Sequence, residues 1–169
     1  MTAPNRERVE DFLFFEAELL DEWNLQEWVK LYREDAIYEV TSPASAAPVN
    51  SDPTQTLFLI ADHIDRIRGR ATRLLKKTAH AEYPHSKTRH LVTNVRYFKD
   101  NSGSKGDNEQ INVRANFAVY RTKEDTTTVY MGEYRYRLVV AGDGFQIVQK
   151  RCILDLNSLY NQGRLTIIL

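Results

Sequence analysis

An α+β fold is predicted by three observations. Apolar residues recur at helical spacing in the first half of the chain, they alternate in the second half, and one stretch, His80–Tyr97, separates the two regimes. Helices followed by a meander of long antiparallel strands give N-terminal helices packed on a strongly curved, mostly antiparallel sheet. Such layers enclose a cone with a cavity at its mouth. At 169 residues the chain fits a single domain over 1–169, long enough to bury about 70% of its unfolded surface.

In chain order, Val9, Phe12, Leu13, Ala17 and Leu20 form one stripe of a helix, with Glu10, Asp11, Glu16 and Glu18 between them. Phe14 and Phe15 widen the stripe, so this helix is expected to meet neighbours on two sides. Asn24 offers an N-cap with Glu27 in capping-box position, and Leu25, Trp28, Val29 and Tyr32 continue at helical spacing. Ala36–Thr41 is short, β-branched and alternating, as in a strand. A loop at about 42–56 follows, carrying Pro43, Pro48 and Pro53, three of the five prolines. Leu57–Ile60 fits a short strand, and Asp62 is placed to cap a helix that buries Ile64, Ile67, Ala71, Leu74 and Leu75. The other face of that helix carries Arg66, Arg68, Arg70, Arg73, Lys76 and Lys77.

Four long strands are expected beyond the hinge. In the first, Leu91, Thr93, Val95 and Tyr97 share a face opposite Val92, Asn94 and Arg96; in the second, Ile111, Val113, Ala115, Phe117 and Val119 do. The loop D-N-S-G-S-K-G-D-N turns the chain between them. Thr128–Val140 sets Tyr130, Tyr134, Tyr136 and Leu138 on one face, A-G-D-G is a hairpin turn, and Phe145–Leu156 returns as the last strand before an apolar tail.

Composition narrows the function. Twenty-three basic and 23 acidic side chains cancel, so no global field recruits nucleic acid or an anionic membrane. The single cysteine, Cys152, excludes a disulfide framework and an iron–sulfur cluster held by this chain alone, and it fits a reducing compartment. No apolar run approaches the ~20 residues of a membrane span, and the N-terminus lacks the apolar core of a secretory signal. A cytoplasmic protein is expected.

The hinge holds three of the four histidines and is the first candidate for chemistry. His80, His85 and His90 are spaced by five, about 140° around a helix and opposite faces on a strand, so neither element aligns them as metal ligands. An acid–base pocket drawn from Asp35, Tyr38, His85 and His90 is the stronger enzymatic alternative: a stand-alone cone-fold dehydratase or isomerase using Asp35, Tyr38 and His90. The structural reading has Asp35 ending a helix, Tyr38 packing with a wet hydroxyl and His90 satisfying a backbone carbonyl; it is preferred because no spacing singles these residues out. Cys152 falls among apolar neighbours in mid-strand, as a buried thiol does. G-S-K-G at 103–106 lacks phosphate-loop spacing. Arg135 and Arg137 alternate with tyrosines, fitting stacking or pairing at a sheet surface rather than phosphate binding.

Four segments together carry a family resemblance. These are V-E-D-F-L-F-F-E-A-E-L-L-D-E-W with L-Q-E-W-V-K-L-Y-R-E-D-A-I-Y-E-V, then A-D-H-I-D-R-I-R-G-R-A-T-R-L, then A-E-Y-P-H-S-K-T-R-H-L-V-T-N-V, and the closing R-L-T-I-I-L. The set resembles the small (beta) subunits of aromatic-ring-hydroxylating dioxygenases, the Rieske non-haem iron oxygenases. Lys87 stands where arginine is common and Thr93 where serine is usual. The E-V-T-S-P after Tyr38 departs from members that place a proline sooner.

The resemblance implies a cystatin-like cone and an assembly of three large (alpha) and three small subunits in bacterial aromatic catabolism, with small-subunit self-contacts possible. It puts the Rieske [2Fe-2S] cluster and the mononuclear Fe(II) in the large subunit, with no cofactor, metal or catalytic residue in this chain. The implied work is to hold the large subunits in a ring. On this reading the proline-rich loop, the basic helix face, the apolar tail and the hinge face other subunits. His85, Lys87, Arg89, His90 and Asn94 make polar contacts to the large subunit or pin the hinge itself. Substrate contacts are implied to lie in the other subunit, so an aromatic acid and a neutral hydrocarbon both fit.

Overall fold

The structure, a computed structural model, describes residues 4–41, 58–99, 109–156, 159 and 163–169. The proline-rich loop and the glycine-containing turn at 100–108 lie outside the described residues.

Helix α1 spans Arg6–Asp21, starting before the apolar stripe because the Asn5 side chain accepts a hydrogen bond from the Arg8 backbone N–H at 2.9 Å. It buries Val9, Leu13, Glu16, Leu19 and Leu20. Phe14 and Phe15, expected to meet a second neighbour, are 49% and 47% exposed. The short α2, Leu25–Lys30, starts at Asn24 without the expected capping box. The Asn24 N–H that such a box would satisfy is already bonded to the Leu19 carbonyl at the end of α1, and Glu27 pairs with Lys30 instead.

Strand β1 runs over Tyr32–Thr41, four residues earlier than the alternation suggests, so Tyr32 and Asp35 belong to a strand and not to a helix end. Strand β2, Phe58–His63, takes in Asp62, and His63 caps α3, Ile64–Leu74. Asp62 instead accepts Arg70 at 2.6 Å and Arg66 at 3.2 Å with its carboxylate buried, so part of the basic helix face is neutralised within the chain.

Strands β3 (Lys87–Lys99), β4 (Gln110–Lys123), β5 (Thr126–Ala141) and β6 (Gly144–Leu154) form the meander. The sheet order is β2-β1-β6-β5-β4-β3; β1 and β6 are parallel and every other pair is antiparallel. The sheet is open and mixed, with the helices on one face. The alternation of β4 and of β5 is as expected, with Ile111, Val113, Phe117, Tyr134, Tyr136 and Leu138 buried.

Strand β3 corrects the sequence reading. Its register with β4 shifts between Thr93 and Arg96, and Asn94 has φ 55°. This bulge inserts a residue and exchanges the faces. Leu91 (49% exposed) and Thr93 therefore point away from the helices, while His90 before the bulge and Val95 after it point inward. A single-period reading cannot contain such a switch.

The bulge depends on a residue that tolerates the left-handed region. Asn94→Val is expected to cost about 1–2 kcal/mol and Asn94→Gly to be close to neutral, measured by urea unfolding of the two variants against the parent chain.

Candidate functional site

The cone interior is organised by a carboxylate. The apolar face of α1 carries Glu16 inward, where Oε1 accepts the Trp28 indole N–H at 3.1 Å and the Lys150 ammonium at 2.9 Å, and Oε2 accepts the Tyr136 hydroxyl at 2.7 Å. Both members of the ion pair are almost fully buried, their side chains 2% and 1% exposed. The Lys150 ammonium also lies 4.6 Å from the centroid of the Tyr134 ring. These donors come from α2, β5 and β6, so one side chain ties three elements to α1.

The cone's mouth is closed by the chain's own end. Ile167, Ile168 and Leu169 are buried, against the expectation that the apolar tail faces another subunit. An apolar end this close to an open core gains more by filling it than by waiting for a partner. The Leu169 N–H donates to the Tyr38 hydroxyl at 3.1 Å, so that hydroxyl is dry and not wet as expected. The Cys152 thiol lies 3.7 Å from the Leu169 carbonyl, and burial pushes its pKa up to about 12, which removes it as a nucleophile. His90 sets Nε2 at 3.1 Å from the Ile168 carbonyl and Nδ1 at 2.5 Å from Asp21 Oδ1, and Asp21 also accepts the His90 backbone N–H at 3.0 Å. The gap left beside His90, Trp23 and Ile168 measures about 10 Å³, too small for any substrate.

The hinge is pinned in the same way. Glu82 is buried, accepting the Ser86 hydroxyl at 2.6 Å, the Arg121 guanidinium at 2.7 Å and the Thr166 hydroxyl of the tail. Burial pushes the Glu82 carboxyl up, but these donors outweigh it and hold the group below its ordinary value. Burial likewise raises Asp21, and the hydrogen bonds and charge of His90 outweigh it in the same direction. Trp23 donates its indole N–H to the Ser86 carbonyl at 3.0 Å, and the His85 ring stacks on it at 4.0 Å between centroids.

The sequence-selected residues thus separate. Asp35 is 60% exposed and paired with Arg33 at 2.7 Å, away from Tyr38 and His90, so the three do not form an acid–base pocket. His85, Lys87, Arg89 and Asn94 are exposed, whereas His90 is inside the cone. Sequence reasoning missed Glu16 and Lys150. The signal was present: Glu16 falls at helical spacing from Val9, Leu13 and Leu20, and Lys150 lies at strand spacing from Cys152 and Leu154, on their face. Among the described residues no group of three or more His, Cys, Asp or Glu side chains is arranged to hold a metal ion.

The architecture is that of the cystatin-like α+β folds, helices on an open six-stranded mixed sheet, here with the interior spent on structural contacts. The family model for the ring hydroxylating beta subunit matches residues 15–161, and the chain belongs to that family. It is the small subunit of a ring-hydroxylating dioxygenase, active as part of a complex with a large alpha subunit.

The chain is 46% identical over 164 residues to the small oxygenase component of the p-cumate 2,3-dioxygenase system of Pseudomonas putida, covering 97% of this chain and 87% of that protein. Its fold matches the beta subunit of benzoate 1,2-dioxygenase from Burkholderia mallei with a TM-score of 0.72 at 24% identity, over 99% of this chain and 100% of that one. A chain of naphthalene 1,2-dioxygenase, solved with indole bound in the active site, matches with a TM-score of 0.79 at 16% identity, over 100% and 89% of the two chains. No helix among the described residues is long and apolar enough to cross a membrane.

Two outcomes follow from the buried charges. Lys150→Ala strands the Glu16 carboxylate and is expected to cost about 3–5 kcal/mol in chemical denaturation, while Glu16→Gln with Lys150→Met recovers part of that loss, because the neutral amide still offers partners to Trp28 and Tyr136. Asp21 and Glu82 have lowered folded-state values, so their contribution is complete above the ordinary carboxylate range near 4 and is lost as pH falls through the depressed values. In that window the unfolded chain binds protons that the native chain does not. Urea midpoints between pH 6 and 2.5 should fall on the acid side, with a shallower fall in Asp21→Asn.

Proposed function

We propose that this chain is a non-catalytic structural subunit that holds large oxygenase subunits in a ring of three large and three small chains, in a system that dihydroxylates an aromatic carboxylate in aromatic catabolism. The observation that carries the structural role is the stoppered mouth: Tyr38, His90 and Cys152 are all engaged with residues 168–169. The substrate class rests on the 46% identity to a p-cumate system component. The large subunits would carry the Rieske [2Fe-2S] cluster and the mononuclear iron. This chain's one thiol is buried and engaged with the tail, so it is unsuited to hold either. A cytoplasmic location is consistent with that single free thiol.

The exposed hinge residues His85, Lys87 and Arg89 are our candidates for contacts to the large subunit. Lys87 and Arg89 lie at the start of β3 and His85 just before it; β3 is an edge strand whose outer side has no sheet partner among the described residues. His90 and Asn94, by contrast, act within the chain: one pins the hinge to α1 and the tail, the other forms the bulge.

The test is expression of the chain alone and together with a large subunit encoded beside it. The expected result is ring hydroxylation of p-cumate only by the co-purified complex. Lys87→Glu with Arg89→Glu should weaken association at least about tenfold, the loss of a few charge-assisted contacts, while leaving the melting temperature of the isolated chain unchanged. Turnover by the isolated chain, abolished in His90→Ala, would overturn the proposal in favour of a dehydratase or isomerase.

A further inference from the structure

The sheet face turned away from the helices carries an arrangement that the small-subunit role does not explain. Arg96 of β3 is opposite Arg114 of β4, which is opposite Arg135 of β5, which is opposite Arg151 of β6. Four arginines thus stand side by side across four adjacent strands. Arg137 lies two residues along β5 on the same face. Like charges directly opposite one another repel, and a sheet does not retain a row of them for its own stability.

Compensation from the chain is partial. Glu133 pairs with Arg135, and Glu39 accepts Arg151 at 2.8 Å. Arg96 and Arg114 both lie against the Phe98 ring, 5.4 and 5.8 Å from its centroid, and pair with no carboxylate among the described residues. Arg137 Nε is buried and has no hydrogen-bond partner among the described residues, although its residue lines the trough. The trough measures about 530 Å³ and is bordered also by Asn112, whose amide supplies a further donor, and by Gln149, whose amide donates to Glu39 at 2.8 Å.

We propose that this arginine row is an oxyanion site that takes carboxylate groups. The guanidinium fork matches a carboxylate in two-point contact. Adjacent strands lie about 4.8 Å apart, so four of them spread their arginines over about 14 Å. That span suits several separated carboxylates better than one compact tetrahedral anion. Two sources present this chemistry: a free di- or tricarboxylate, and acidic side chains of the adjoining subunit.

The test is calorimetric titration of the purified chain with citrate and with inorganic phosphate at low ionic strength. Saturable citrate binding is expected, stronger than phosphate, and about tenfold weaker or worse in Arg114→Gln and in Arg137→Gln, the loss of one hydrogen-bonded charge. Arg6→Gln, on the far side of the molecule, serves as a control that should bind as the parent does. Circular dichroism and melting temperature establish that the variants fold.

The same titration on the complex with the large subunit distinguishes the sources. Retained citrate binding assigns the site to a free anion. Abolished binding, with the double variant Arg114→Gln and Arg137→Gln dissociating at lower salt than the parent complex, assigns it to the neighbour's carboxylates. Absence of citrate binding to the isolated chain, binding unchanged in both variants, or phosphate bound more tightly than citrate overturns the proposal. The isolated-chain measurement stands whether or not the structural role holds, so the two can fail separately.

Discussion

The buried carboxylate of Glu16 is the constraint on which the rest of the structure depends. Taking a carboxylate and an ammonium out of water costs several kcal/mol for each ion, and their attraction returns that cost only when the geometry is good and the remaining lone pairs are used. Here they are used: Lys150, Trp28 and Tyr136 all donate to the one carboxylate. The arrangement specifies more than it stabilises. If α1 rode a turn higher or lower on the sheet, two charges would be left in an apolar interior. The helix therefore has one height and one rotation, and the mouth of the cone is fixed with it.

With α1 held there, its C-terminal end brings Asp21 to an inward residue near the start of β3, His90, and the second ring nitrogen of that histidine reaches the tail. Glu82 repeats the pattern from the other side, joining the hinge to β4 through Arg121 and to the tail through Thr166. Hinge, helix end and tail thus close on each other through two carboxylates. An enzyme of this architecture would need the same polar groups facing substrate. In this chain they face one another and the backbone of the tail, and the groups that resemble catalytic apparatus in composition serve as fasteners.

Much of this was legible in the sequence wherever one periodicity holds over a whole element. Ile111–Val119 and Tyr130–Leu138 alternate without interruption, and both strands form on the expected faces. The failures share a physical cause. The face of β3 inverts at Asn94, because a bulge is a local backbone event that leaves the flanking apolar residues plausible on either side. The Glu16–Lys150 pair joins residues 134 positions apart, and each alone reads as a polar residue on the edge of a stripe. The apolar tail was read as a surface for a partner, because sequence shows that a segment must be buried but not what buries it. The family motif around His90 was recognisable; that its histidine bonds helix and tail at once required coordinates.

Net charge was the least informative number in the sequence. A balance of 23 against 23 describes the far field, and at physiological ionic strength that field decays within about 8 Å. What a partner meets is the local distribution, which here is segregated. The outer side of α1 exposes Glu7, Asp11 and Glu18 around Phe14 and Phe15, while the trough on the open face of the sheet sets Arg96, Arg114, Arg135, Arg137 and Arg151 against two carboxylates. Two copies meeting through their open faces would set arginine against arginine, so association through that face alone is disfavoured by the charges themselves. The same neutrality that argues against a nucleic-acid or membrane role is compatible with a directional subunit, because unlike local patches leave the sum at zero while presenting different charge to different neighbours.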